Sequence, residues 1–370
     1  MLWWVLVAAL IWVAILALPW RPWDTREQIA ARQTDAARPE LSRITALVPA
    51  RNEAASIPDT LRRLGAQGPL ARIVLIDDES DDGTGDLARG LPLGNLTVLN
   101  GEQPPAGWSG KLWALHQGLA QVNTEFVLLL DADIALEPGI VATLAAKLVD
   151  EQRDLVSVMA TLSMQTGWEK LLIPAFIYFF KMLYPFALSN SDNRFVAAAA
   201  GGCILLRTER LRGIGGFEAL RGALIDDCTL ARAIKHAGGR IWLGLSRDVR
   251  AARPYESLGA IWNMVARTAY TQLRYSMTLL ALCTCLLLLV FVVPVLGLFA
   301  DSGRVRLLAV VALASMIASY LPVLRYYGRH RLWGLCLPLA ASMYVAMTWT
   351  SALRYLCGER SRWKNRVYDR

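Results

Sequence analysis

The sequence predicts an α/β fold, a mostly parallel and doubly wound sheet within residues 44–275, set between apolar segments near both ends of the chain. Two observations predict it. From residue 44 onward, short β-branched runs alternate with stretches of helical period, the pattern of strand and helix that places parallel strands side by side. The hydrophobic residues, 55% of 370, gather in uncharged runs instead of spreading evenly. Part of the chain therefore belongs in lipid, while residues 21–274 keep an ordinary globular composition.

The elements follow in order. Residues 2–19 carry no charge and approach the roughly 20 residues a helix needs to cross a hydrocarbon core. With no basic stretch before it and no small-x-small cleavage site before Trp20, this run reads as a retained N-terminal transmembrane anchor, residues 1–20. A basic juxtamembrane linker, residues 21–43, carries arginines at 21, 26, 32, 38 and 43. The excess of arginine on that side predicts a cytoplasmic domain on a multi-pass protein of the cell inner membrane.

Strands are predicted at 44–49, 73–77, 96–99, 126–131 and 155–160, and helices at 56–66, 111–121 and 138–149. Residues 168–188 hold an apolar run too short to span, flanked by Glu169, Lys170 and Lys181; it reads as an interfacial helix or a buried core helix. Three further apolar runs make a C-terminal transmembrane region, residues 276–353, before a basic tail, residues 354–370. Three full crossings would export a tail with six Lys or Arg. Pro294 and Pro338 mark where a run breaks or re-enters.

Composition narrows the function classes. The net charge of +8 comes with no nucleic-acid recognition motif, and its basic clusters flank apolar runs, so anionic headgroups are the expected counterpart. The six cysteines lack paired metal-ligand spacing and read as reduced thiols. No G-x-G-x-x-G follows the first strand, which argues against a dinucleotide oxidoreductase.

In a doubly wound sheet, ligands bind beyond the carboxyl ends of the strands, and those positions are rich in polar groups here. Pro49, Ala50, Arg51, Asn52 and Glu53 follow the first strand, Asp77 and Asp78 end the second, and Asp131, Ala132 and Asp133 follow the fourth. Asp131 and Asp133, two apart, can offer oxygens to one hard cation such as Mg²⁺ or Mn²⁺; alternatively they are turn or capping aspartates before Pro138. Asp78 offers an acceptor for a base N–H, whereas Asp82 and Thr84 are explained as caps. Glu53 alone is equally a first-turn acid favoured by the helix dipole.

Taken together, VPARNEA, IVLIDDESDDGT, GWSGKLWALHQG, LLLDAD, GGCILL and IDDCTLARAIKHAGG, in that order, resemble family 2 glycosyltransferases of the GT-A fold, over about residues 44–275. With WEKLLIPAFIYFFKMLYPF in the middle and WKNRVYDR at the end, the chain looks closest to bacterial hopene-associated glycosyltransferases, and more distantly like ceramide glucosyltransferases. The resemblance implies a GT-A nucleotide-diphospho-sugar transferase domain in which Pro49, Ala50, Glu53 and Asp78 line the nucleotide base. Asp131 and Asp133 then surround the diphosphate and metal, and Lys111 binds the donor. Asp226 and Asp227 match the acidic pair of inverting members, the second acting as base; helix capping is the plainer alternative. The family's Q/R-x-x-R-W motif is reduced here to Thr271, Gln272, Leu273, Arg274 and Tyr275. This departure disfavours a processive polymerase, and leaves Arg267 and Arg274 as phosphate contacts or headgroup anchors.

The reading is an inverting, metal-dependent transferase moving one sugar from a nucleotide-sugar, with a UDP-sugar first in line, to a membrane lipid such as a hopanoid. A polyprenyl-phosphate sugar transferase shares every donor residue. A non-catalytic lipid-binding scaffold with a transferase-like fold is the rival from another class.

Overall fold

The computed structural model describes residues 1–32, 39–358, 361–363 and 366–368. Part of the basic linker, including Arg38, and part of the basic tail lie outside the described residues. The chain divides into two compact units, one of Glu27–Ser163 and Leu188–Pro254, the other of Met1–Arg26, Met164–Ala187 and Tyr255–Arg370.

The first unit is built on one sheet of eight strands: β1 (Ile44–Ala50), β2 (Arg72–Asp77), β3 (Leu96–Asn100), β4 (Phe126–Leu130), β5 (Ile134–Leu136), β6 (Leu155–Thr161), β7 (Cys203–Arg207) and β8 (Ile241–Ala251). Their order is β3-β2-β1-β4-β7-β6-β8-β5. Strands β3, β2, β1 and β4 are parallel, as are β6 and β8. β7 runs antiparallel to both neighbours, and β5 antiparallel to β8. This is the mixed GT-A-like sheet. The five strands the sequence predicts are β1 to β4 and β6; β5, β7 and β8 are additions.

Every residue of β1 is buried, as expected of a strand covered on both faces. Ala46, Val48 and Ala50 join a core with helices Ile57–Gly65 and Ile140–Asp150, while Leu47 joins another with helices Gly110–Leu119 and Asp226–His236. That alternation is the period of two of a strand, and it yields three layers. On the second face the helix Gly110–Leu119 approaches the sheet closely: a Cβ on Gly118 would stand 2.7 Å from Ile76 Cδ1.

Pro49 in a central strand needs a reason, because it has no N–H to give a ladder. The Asp78 amide donates to Ala50 O at 2.8 Å, so residue 50 faces β2 and Pro49 faces β4. The β1–β4 pairing has already ended at Leu47 and Leu129, so no ladder bond is lost. The two strands thus part where the chain reverses its direction of winding, the crevice in which such sheets bind ligands.

The second unit holds the apolar helices. Among the described residues, three are long and apolar enough to cross a membrane: Met277–Gly297, Gly303–Tyr326 and Arg331–Leu356. Their outward residues, among them Leu282, Leu307 and Leu353, are exposed, as lipid-facing residues would be. The N-terminal helix Leu2–Ala17 has 16 residues; at about 1.5 Å per residue it is shorter than the roughly 30 Å core.

Neither suspect proline ends its run. Pro338 lies in the first turn of Leu337–Leu356, where a missing N–H is harmless. Around Pro294 the helix widens to a π turn over Leu288–Val292. The carbonyl four residues before Pro294 is that of Val290, and it accepts a hydrogen bond from Trp12 Nε1 at 2.7 Å. The N-terminal helix therefore supplies the donor that proline cannot.

The segment flagged at 168–188 forms the helix Gly167–Leu183, whose Tyr178 hydroxyl lies 2.8 Å from Ser319 Oγ. Its flanking Glu169 is buried and completes a capping box with Thr166.

Candidate active site

Five chain segments converge at the ends of β1 and β4, and a cleft there is lined by Pro49, Lys111, Asp131, Gly201, Asp226 and Asp227. Each is delivered by a local device. Asp131 is the first residue past β4, and its amide donates to Gly202 O at 3.1 Å. Because β7 is antiparallel, its start, and with it Gly201 and Gly202, lies beside the end of β4. Ser109 caps the helix Gly110–Leu119 by accepting from the Leu112 amide, which sets Lys111 in the first turn. Asp226 and Asp227 open the helix Asp226–His236.

The carboxylates share one cation. Lys111 Nζ lies 2.7 Å from Asp131 Oδ1 and 3.7 Å from Asp226 Oδ2. Asp227 is held differently, accepting from the Gly201 amide at 2.8 Å and from the Cys228 amide at 2.7 Å. A Cβ on Gly201 would meet Asp227 Oδ2 at 3.3 Å and Lys111 Nζ at 3.4 Å, so any larger residue crowds both.

Electrostatics follow from this gathering. Burial works to lower the Lys111 pKa, but Asp131, Asp226 and Asp227 outweigh it and the group is held well above the ordinary lysine range. Burial, with the like charge of Asp226, pushes Asp227 up to about 6 against its two amide donors and Lys111. Two carboxylates side by side separate their proton affinities, a recurring preparation for acid–base work.

At the base end, Arg51 Nη1 donates to Asp78 O and lies 3.9 Å from its carboxylate. The loops after β1 and β2 are laced together: Asn52 N donates to Ser80 Oγ (3.0 Å), Glu53 N to Thr84 Oγ1 (2.8 Å) and Ala54 N to Asp82 Oδ2 (2.9 Å). Although burial opposes it, hydrogen bonds from Thr84 and Ala54 keep Asp82 below the ordinary carboxylate range, so Asp82 is accounted for structurally. Asp78 and Glu53 are buried, and Glu53 is paired at 2.6 Å with Arg253.

Of the residues singled out in the sequence, Pro49, Lys111, Asp131, Asp226 and Asp227 line the cleft. Ala50, Glu53 and Asp78 lie at the adjoining ends of β1 and β2, while the Asp133 carbonyl accepts from the Ala252 amide at 2.7 Å. Arg274 belongs to the unit of apolar helices and has a left-handed backbone, φ 52°. Arg253 and Gly201 were not predicted as site residues. A glycine pair before an apolar run was the only signal for Gly201, and Arg253 had none.

Residues 39–271, well over half of the chain, match the family described as "Glycosyltransferase like family 2". The chain belongs to that family. Among curated relatives, a 4,4'-diaponeurosporenoate glycosyltransferase of Staphylococcus haemolyticus is 29% identical over 119 residues, 31% of each chain. The probable glycosyltransferase YdaM of Bacillus subtilis is 30% identical over 118 residues, 31% of this chain and 28% of that one. The chain thus matches about a third of the length of these relatives. Among solved structures, the mannosyltransferase PcManGT of Pyrobaculum calidifontis, in complex with GDP-Man and Mn²⁺, aligns over 95% of this chain and 94% of its own. Its TM-score is 0.54 at 19% identity, a likeness of fold. The family 2 assignment agrees with the resemblance carried by the sequence motifs.

Proposed function

We propose that this family 2 glycosyltransferase moves a sugar, with inversion, from a nucleotide-sugar to a hydroxyl of a membrane lipid. The observation that carries the reading is the convergence of Lys111, Asp131, Asp226 and Asp227 on one cleft at the switch point of the sheet. Asp227 is the base. Its carboxylate takes the proton of the acceptor hydroxyl while that oxygen bonds to the anomeric carbon, and the bond from that carbon to the diphosphate breaks with its electron pair leaving on phosphate oxygen. Lys111 lies in the same cleft to receive the charge that builds on the leaving group. Glu53 and Asp78 are acceptors for the base and ribose, beside Pro49 and Ala50.

Asp131 and Asp133 would hold the Mg²⁺ or Mn²⁺, which supplies a Lewis acid at the diphosphate. The donor chemistry suits such an ion, since the charged acceptors of the cleft are carboxylate oxygens, and the Lys111 ammonium 2.7 Å from Asp131 marks where positive charge is held. Among the described residues, no group of three or more His, Cys, Asp or Glu could hold a metal ion. The diphosphate itself is then expected to supply further oxygens. The solved mannosyltransferase of this fold was obtained with Mn²⁺ and GDP-Man, so GDP-sugars stand beside UDP-sugars as donors to test.

Support for a lipid acceptor comes from the three helices able to span a membrane and from a relative named for 4,4'-diaponeurosporenoate. A hopanoid is the acceptor that the sequence resemblance puts first. The arginines after the N-terminal helix support an inner-membrane protein with its transferase domain in the cytoplasm.

The test incubates the purified full chain in lipid vesicles with Mn²⁺, radiolabelled UDP- and GDP-sugars and lipid extract, for wild type and Asp227→Asn. Label entering the lipid fraction with wild type but not with Asp227→Asn is the expected result. Absence of transfer from every donor, in extract rich in hopanoids and polyprenyl phosphates, refutes the proposal and leaves a lipid-binding scaffold.

A further inference from the structure

Arg253 lies two residues beyond β8, outside every motif that carries the family resemblance. Its Nη2 stands 2.6 Å from Glu53 Oε2, across 200 positions of sequence. Glu53 is otherwise pinned, with its carboxylate accepting from Ser56 Oγ at 2.8 Å and its amide donating to Thr84 Oγ1 at 2.8 Å. The residue before Arg253 is fixed as well, since the Ala252 amide donates to Asp133 O at 2.7 Å. One short segment is therefore bonded to Asp133 through its backbone and to Glu53 through its guanidinium. In the proposed function Asp133 belongs to the metal end of the donor and Glu53 to the base end.

Stability is a poor reason for this pair. The Arg253 side chain is 51% exposed while that of Glu53 is 8% exposed, and solvent around the guanidinium screens what the pair contributes to folding. Aim is the better reason. A carboxylate that accepts from a base or ribose must point within a few tenths of an ångström of its target, and a planar guanidinium fixes a carboxylate's orientation where an ammonium does not.

We propose that Arg253 is a positioning residue for the donor, holding the Glu53 carboxylate at the angle that receives the nucleoside. The inference rests on the cleft being a nucleotide-sugar site.

The experiment titrates UDP, GDP and inorganic pyrophosphate, each with Mn²⁺, into the detergent-purified full chain by calorimetry. It compares wild type, Arg253→Gln, Arg253→Lys, Glu53→Gln and the double variant Glu53→Gln/Arg253→Gln. Arg253→Gln is expected to weaken the preferred nucleoside diphosphate about tenfold, with pyrophosphate affinity and melting temperature held. Arg253→Lys recovers part of the loss, and the double variant binds no worse than Glu53→Gln.

A twofold or smaller effect of Arg253→Gln, or losses that simply add in the double variant, overturns the proposal. So does an equal loss for pyrophosphate, which would make Arg253 a direct phosphate ligand. If wild type binds neither nucleoside diphosphate, the donor-site reading itself fails and this inference falls with it; if wild type binds and Arg253→Gln binds equally, the inference alone fails.

Discussion

Proton activity is the perturbation that separates a catalytic Asp227 from a structural one. Burial and the neighbouring charge of Asp226 push Asp227 up to about 6 from an ordinary 3.8. A base must be ionised to accept a proton, so activity is present above that pKa and lost as pH falls through it. With a pKa near 6, roughly 90% of the groups are ionised at pH 7 and roughly 10% at pH 5, about a ninefold fall in kcat/KM; an aspartate near 3.9 would stay about 90% ionised at pH 5. Asp226→Asn removes the like charge and moves the acid limb to lower pH, whereas Lys111→Met removes an opposing cation and moves it higher. The assay is initial rate at donor well below KM, from pH 5 to 8, in vesicles of fixed composition.

Stability carries the opposite sign. The folded pKa of Asp227 is raised, so its contribution is fully present below the unfolded value near 3.8 and is lost as pH rises through about 6. A shift of roughly two units is worth at most about 3 kcal/mol against the fold at neutral pH. Asp227→Asn at pH 7.5 should therefore melt no lower than wild type while losing turnover. A flat kcat/KM across the range, or a limb unmoved by Asp226→Asn, refutes the assignment of Asp227 as base.

Three further outcomes are expected. Lys111→Met should cost about 10²–10³ in turnover, the scale of losing one preorganised charge-stabilising group, and should lower the melting temperature without added metal because Asp131 and Asp226 lose their shared cation; thermal unfolding with and without Mn²⁺ checks it. Gly201→Ala places its Cβ 3.3 Å from Asp227 Oδ2 and 3.4 Å from Lys111 Nζ, so turnover should fall about tenfold with little change in melting, since only a few tenths of an ångström must be yielded. Trp12→Phe leaves Val290 O without its indole donor and should destabilise the apolar unit by about 0.6–2 kcal/mol, seen as earlier unfolding in detergent with steady-state kinetics of surviving protein unchanged.

How far the sequence reached depended on whether the signal was local. β1 to β4 and β6 were legible because each is a short apolar run ended by polar residues, Asp131 was legible because strand ends in wound sheets collect ligands, and Asp226 and Asp227 were legible through the motif resemblance. β7 was not, because five apolar residues after a glycine pair carry no mark of direction, and its direction is a property of pairing with β4 and β6. Arg253 and the Trp12 bond to Val290 were out of reach for the same reason, with partners 200 and 278 positions away. The prolines misled in an instructive way. Pro294 does remove a backbone donor, but a distant side chain replaces it, and no local rule knows that the replacement exists.

The antiparallel β7 also explains why the acids can be concentrated as they are. A parallel strand there would bring Arg207, at its far end, beside Asp131; run antiparallel, it brings Gly201, with no side chain, and a backbone amide that donates to Asp227. Around that glycine, Asp131, Asp226 and Asp227 supply three negative charges against the one positive charge of Lys111, an excess of negative charge when all are ionised. Burying such an imbalance is unfavourable unless a ligand repays it, and the raised Asp227 is one visible sign of the cost. A divalent cation bound there, as proposed, would offset that excess, and its binding energy would then be available at a departing diphosphate instead of at the fold.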